Sequence, residues 1–192
     1  DIVEVENEIL IEDLIEREYC AITATHDGYI KRMPAETYSA QRRGGKGITA
    51  MATKEEDFVE DVFITHSHAF LLMFSNLGKM YIKKCYEIPE SGRTAKGINL
   101  VNVLSLGENE KITAIIPINE FTNDENLVLL TKYGVIKRVS LMNYRTRRTS
   151  GLYAVTLDEG DELLYVMKTT GNDQIIAATR NGLSIRFIEK NV

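Results

Sequence analysis

An all-β chain of four-stranded, propeller-type blades is predicted by three features: a phrase that returns four times, a glycine landmark in phase with it, and strand-forming segments between. The phrase is THDGYIKR (25–32), SNLGKMYIKK (75–84), TKYGVIKR (131–138) and TRNGLSIR (179–186). Its glycines, Gly28, Gly78, Gly134 and Gly182, lie 50, 56 and 48 residues apart. The second landmark, at Gly47, Gly97 and Gly151, follows the first by 19, 19 and 17 residues. A fixed phase over three units with a period near fifty indicates a radial or stacked array.

Taken in order, the first element is an acidic stretch. Residues 1–18 hold eight acids against Arg17, a charge of −7, and read as a linker or capping strand in which IEDLIERE alone could form a short helix. Residues 19–192 read as the repeat domain, in units of approximately 19–56, 57–107, 108–158 and an incomplete 159–192. Each unit contains a hairpin of β-branched and apolar residues around a glycine able to take positive φ: CAITAT/YIKRM, FLLMFS/KMYIKK, NLVLLT/VIKRV and QIIAAT/LSIRF. Further strands, VEDVFITHS, KITAIIPI and DELLYVMK, precede the second, third and fourth hairpins. Because the fourth unit stops at Val192 without its second landmark, an open arc of about four blades or a fragment of a longer domain is expected.

The net charge of −5 argues against a polyanion partner only until its distribution is followed. Without the acidic stretch the rest carries +2, alternating in register with the repeat: +3 over 25–47, −4 over 48–74, +3 over 75–97, −4 over 98–130 and +6 over 131–148. Basic segments should therefore gather on one rim. The candidate rim residues are Lys31, Arg32, Lys83, Lys84, Arg93, Lys96, Lys137, Arg138, Arg145, Arg147, Arg148 and Arg186. Arg43, Arg93 and Arg147 each stand four residues before a landmark glycine, a repeated guanidinium suited to a curved phosphate backbone.

Other chemistry finds no support. Cys20 and Cys85 stand alone, without a CxxC, and read as core thiols. His66 and His68 alternate on a strand and make a poor ligand pair. Tyr29, Tyr81, Tyr133 and Tyr144, placed near the turns, read as blade packing rather than base stacking. No nucleophile and base pair stands out, and no metal or cofactor site is expected. No apolar run reaches the roughly 18 residues of a membrane span, and the N-terminus lacks the basic flank and apolar core of a signal peptide, so a cytoplasmic location is expected.

One loop is distinct: Gln41, Arg42, Arg43, Gly44, Gly45, Lys46 and Gly47, with three cations and three glycines in seven residues. Its backbone can lie close to a polyanion. A nucleotide-binding P-loop is excluded by Ala40 where a glycine is needed and by Gly47 where Ser or Thr should follow the lysine. QRRGGKG resembles, over all seven residues, the box that defines the C-terminal DNA-wrapping domain of the A subunit of bacterial DNA gyrase, and the similarity extends from about residue 13 to residue 192.

That resemblance implies a β-pinwheel, a disc whose blades exchange strands and whose rim bends duplex DNA with a fixed hand so that gyrase introduces negative supercoils. It implies as partners double-stranded DNA, the remainder of the gyrase A subunit, and the gyrase B subunit, in a bacterial, nucleoid-associated setting. It also implies no catalytic centre here, with ATP and Mg²⁺ handled by other domains of this type IIA topoisomerase. The box role carries over to Gln41 through Gly47; Ser91–Gly97 and Arg145–Gly151 occupy the equivalent place without matching it. The related topoisomerase IV subunit, whose box is typically degenerate, and a protein-binding propeller, whose WD dipeptide is missing here, are the alternatives. Replacing Gln41–Gly47 with alanines should leave the circular dichroism of the chain unchanged. In a parent gyrase it should abolish supercoiling while sparing relaxation; loss of all strand passage would contradict this role for the box.

Overall fold

The computed structural model describes residues 11–39 and 57–192. They fall into two compact units, one within Asp1–Ala69 and Lys84–Ile98, the other Phe70–Lys83 with Asn99–Val192. The described residues are mostly β, as expected. Among them helical content is confined to short turns and to α1 (Ala35–Ser39), which the sequence pattern did not predict. The Gln41–Gly47 loop lies outside the described residues.

In the first unit β1 (Tyr19–Thr25) and β2 (Tyr29–Pro34) form the first hairpin, Ile22 facing Arg32 across the ladder. β3 (Val59–His66) pairs antiparallel with β1, Ile22 opposite Phe63, giving the order β3-β1-β2, which ends beside β2 in the short β6 (Ile98–Asn99). Central β1 is buried on nearly every residue, whereas edge β3 alternates, as strands with two covered faces and one covered face should. The core holds Cys20, Ala21, Ile22, Ile30, Met33, Ala69, Cys85 and Ile88. The described part of the acidic segment is tied to this unit: Ile11–Leu14 make a single 3-10 turn, and the Ser67 hydroxyl donates to the Glu16 carbonyl at 2.7 Å. Glu12 binds the Lys84 ammonium at 2.7 Å, and that hydrogen bond holds its carboxyl below the usual range.

In the second unit β4 (Phe70–Ser75) and β5 (Lys79–Lys84) form a hairpin. β7 (Ile112–Ile118) flanks β4, and the two-residue β10 (Leu152–Tyr153) flanks β5, in the order β10-β5-β4-β7. Next come β8 (Asn126–Thr131) and β9 (Ile136–Ser140), with β11 (Leu163–Thr169) on β8, then the hairpin β12 (Gln174–Ala178) and β13 (Ser184–Ile188). Leu72, Phe74, Met80, Leu127, Leu129, Leu141, Tyr144 and Leu163 form one core, with Phe74 and Tyr144 edge to face at 5.8 Å. Strands read as the start of a unit thus belong to the sheet of the preceding hairpin, so cuts at 56/57, 107/108 and 158/159 divide sheets.

All four hairpins turn alike. Gly28, Gly78, Gly134 and Gly182 have φ between 77° and 87°, and each N–H donates to the carbonyl of the Thr or Ser three residues earlier, at 3.0 Å. The hydroxyl of that residue, Thr25, Ser75, Thr131 or Thr179, then accepts the N–H four residues on, at 3.1–3.2 Å. A small hydroxyl residue three before a glycine is therefore the physical content of the repeated phrase. Two turns gain an acid. Asp57 Oδ1 accepts from the Asp27 and Phe58 amides at 2.9 and 3.0 Å, and Asp161 Oδ1 accepts from Tyr133 and Glu162 at 2.9 and 2.8 Å.

For both aspartates burial raises the pKa, but the donated hydrogen bonds outweigh it and the net shift is downward. A carboxylate whose folded pKa is depressed stabilises the fold above its unfolded pKa and loses that contribution as pH falls through the folded value. The Asp57→Asn, Asp161→Asn double variant should melt below the parent chain at pH 7, and the two melting curves should converge as the aspartates protonate on acidification. A gap in melting temperature that persists below the carboxylate range would show that the charge is not what these turns use.

Candidate nucleic-acid interface

The expected rim cations divide into those the fold consumes and those it leaves exposed. Lys31 is a correction to the expected rim: it is 0% exposed, and its ammonium donates to the carbonyls of Gly92, Arg93 and Ala95 at 3.1, 2.7 and 3.0 Å. An ammonium has three protons, so none remains for a phosphate. The cause is positional: β2 at Ile30 and Lys31 carries the loop that ends at Gly97, where an added Cβ would stand 2.3 Å from the Ile30 oxygen. Only glycine, here at φ 81°, allows that approach. Burial pushes the Lys31 pKa down, and the three carbonyls offset the cost of hiding its charge.

Arg32 is also committed. Its side chain is 13% exposed and binds Glu18 at 3.1 Å, Glu90 at 3.6 Å and the Ile88 carbonyl at 3.1 Å. Lys83, in the second unit, is half-buried, and in the first unit Lys84 holds Glu12 and the His68 carbonyl. In the same unit the Lys96 ammonium sits 3.8 Å from the centre of the Tyr29 ring. Arg93 is half-buried, and its Nε and Nη2 are buried without a hydrogen-bond partner among the described residues.

In the second unit the balance reverses. Lys137, Arg145, Arg147, Arg148 and Arg186 are exposed and Arg138 is half-buried. Among the described residues no carboxylate stands within ion-pairing distance of any of the six. Of the other cations there, Lys168 pairs with Glu125 at 2.8 Å and Lys132 with Glu162 at 3.5 Å, whereas Lys111, Arg180 and Lys190 also have no carboxylate partner among the described residues. The loop bearing Arg145, Arg147 and Arg148 ends at Gly151 (φ 88°), which rests on the Tyr81 ring; a Cβ there would come within 2.8 Å of Cε1. Tyr81 donates to Glu110 Oε2 at 3.0 Å, and burial with this bond pushes its phenol up to about 12.

Tyr81 and Tyr144 thus pack as read, while Tyr133 is 62% exposed and Tyr29 faces a cation. Cys20 and Cys85 are buried, free thiols. Burial and the neighbouring Cys20 push Cys85 up to about 12. His68 Nε2 donates to the Ile15 carbonyl at 2.7 Å, and among the described residues no group of three metal-ligating side chains could hold an ion. Among the described residues no helix is long and apolar enough to cross a membrane. Sequence reasoning missed the buried acids at 57, 110 and 161, although their spacing of 53 and 51 residues carried the repeat, and it passed over exposed Arg180.

Three successive segments, 21–66, 69–119 and 125–170, match the model of a family described as DNA gyrase C-terminal domain, beta-propeller. Each segment contains one hairpin and the long strand that follows it. The chain is 54% identical over 187 residues to the DNA gyrase A subunit of Clostridium acetobutylicum, a match covering 97% of this chain and 22% of that protein. It is 51% identical over 181 residues to the DNA gyrase A subunit of Halalkalibacterium halodurans, covering 94% and 22%. The chain therefore spans about a fifth of the length of these relatives. Among solved structures, a C-terminal domain of DNA topoisomerase IV aligns with a TM-score of 0.79 and 27% identity, over 93% of this chain and 54% of that one. A DNA gyrase A C-terminal domain aligns with a TM-score of 0.70 and 25% identity, over 91% and 56%.

Neutralising Arg145, Arg147 and Arg148 together should weaken binding to all duplex sequences alike, because phosphate contacts carry no base information. Each contact removed should lower the slope of log affinity against log salt by about 0.9, so the triple Ala variant should lose roughly two to three units. Anisotropy titrations across a salt series measure this, and an unchanged slope would remove these arginines from the DNA path.

Proposed function

Because the chain belongs to the DNA gyrase C-terminal domain family, we propose that it binds duplex DNA through phosphate contacts and bends it, with a fixed hand, around a rim of exposed cations. The observation that carries this reading is the set of six cations in the second unit, Lys137, Arg138, Arg145, Arg147, Arg148 and Arg186, five of them exposed and all six without carboxylate partners among the described residues, whereas Lys132 and Lys168 are paired. Unpaired arginines bind phosphate through a planar fork and release condensed counterions. Bending 20–30 base pairs by 40–90° costs on the order of 1–6 kcal/mol, which several such contacts can offset.

Within a parent gyrase the wrap would present a neighbouring DNA segment to the enzyme's gate as a crossing of one sign, so that strand passage yields negative supercoils. The rest of that cytoplasmic enzyme is assigned strand cleavage, ATP, Mg²⁺ and the contact with the gyrase B subunit. The Gln41–Gly47 loop supplies the anchor of the wrap. A second reading, the C-terminal domain of topoisomerase IV, is favoured by the TM-score of 0.79 to that structure. The intact QRRGGKG loop favours the gyrase reading.

Ligating nicked circular DNA around the purified chain tests the proposal. A shift in linking number of one sign, growing with protein added, is the expected result. Binding without any shift would mean contact without wrapping and would sink the proposal.

A further inference from the structure

We propose that Lys31 is a positioning residue for Arg93: the buried ammonium gathers three carbonyls of the Gly92–Ala95 segment and so sets where the Arg93 guanidinium meets phosphate. The inference rests on the DNA-binding reading above.

The geometry is specific to this role. Lys31 is not paired with a carboxylate; its three protons are distributed over three main-chain oxygens within four consecutive residues, at 2.7–3.1 Å. Carbonyls of neighbouring residues ordinarily diverge, so convergence on one cation fixes the peptide planes of the loop. One of the three belongs to Arg93 itself, so the bond acts on the residue whose side chain is to be aimed. That side chain has Nε and Nη2 buried with no acceptor among the described residues, although a buried guanidinium N–H without an acceptor is costly. A half-buried guanidinium can offer an oxygen-rich anion only the edge that still faces solvent, so where the loop sets Arg93 decides that contact.

The second unit uses the same position differently. Tyr81 stands third after Gly78, as Lys31 stands third after Gly28, and it too seats a landmark loop, by ring contact with Gly151. In both hairpins the third residue after the turn glycine is therefore a seat for a loop bearing a candidate phosphate-binding arginine. Lys31 fills it with a charge that holds backbone oxygens.

A double-mutant cycle on the 192-residue chain tests the assignment. Lys31→Met keeps the apolar stem and removes the ammonium; Arg93→Ala removes the guanidinium; the third variant carries both. Affinity for random-sequence duplex is measured at several salt concentrations, with melting curves to establish folding. Each single variant should lower the salt slope by about 0.9, which is roughly 3.5-fold less affinity lost between 50 and 200 mM salt, and the double variant should lower it no further. A lysine that only stabilises the fold would lower the melting temperature and leave the slope untouched; that result, or additive slopes, would overturn the assignment. Should Lys31→Met not fold, Lys31→Arg retains the charge with a planar fork unable to meet three converging carbonyls, and it should show the same non-additivity with Arg93→Ala. Failure of the unaltered chain to bind duplex at low salt would overturn the functional reading itself, which separates the two.

Discussion

A two-stranded hairpin has unpaired N–H and C=O groups along both outer edges, and the folding of this chain is organised by how those edges are filled. One edge goes to the long strand that follows the hairpin: β3 on β1, β7 on β4, β11 on β8. On β5 the other edge goes to the two residues after Gly151. That short strand cannot reach its edge without bringing its loop along, so edge pairing and loop placement are one event. The close approaches at Gly97 and Gly151 are its steric signature.

The turns allow this repetition at little cost. A Thr or Ser hydroxyl, a glycine at positive φ and, in two units, an aspartate from just before the next long strand satisfy the turn amides from within. The aspartates link a hairpin to the strand that will flank it, since Asp57 precedes β3 and Asp161 precedes β11 while both hold the turn before. Closure of the turn and addition of the third strand are therefore coupled through one carboxylate. In the second hairpin Asn76 exchanges with Lys111 instead, its Oδ1 accepting the Lys111 amide at 2.8 Å.

Hairpins, glycine turns and long strands were legible in the sequence because each is local: a turn within four residues, or a run of β-branched side chains. Sheet membership was not, because VEDVFITHS looks the same whether it pairs forward or back. The fate of the loop cations was illegible for the same reason. Lys31 and Lys137 stand in the same phrase, IKR, third after a hairpin glycine, yet one is buried under carbonyls and the other exposed. Charge counted along the chain gives both the same sign and weight.

Net charge is thus a poor guide to what a polyanion would meet on this protein. In the first unit Lys31, Arg32 and Lys84 spend their charge on backbone oxygens and on Glu12, Glu18 and Glu90, so these three described bases, though they count as basic, are committed within the fold. In the second unit the arginines of 145–148 have no acid in their segment and no acid in reach among the described residues. What distinguishes the two is the seat beneath the loop. An ammonium must bury its charge to hold the Arg93 loop, whereas the Tyr81 ring holds the Gly151 loop by contact and leaves the arginines of that loop outside. The same repeat position therefore converts a basic residue into scaffold in one unit and spares the basic residues in the next.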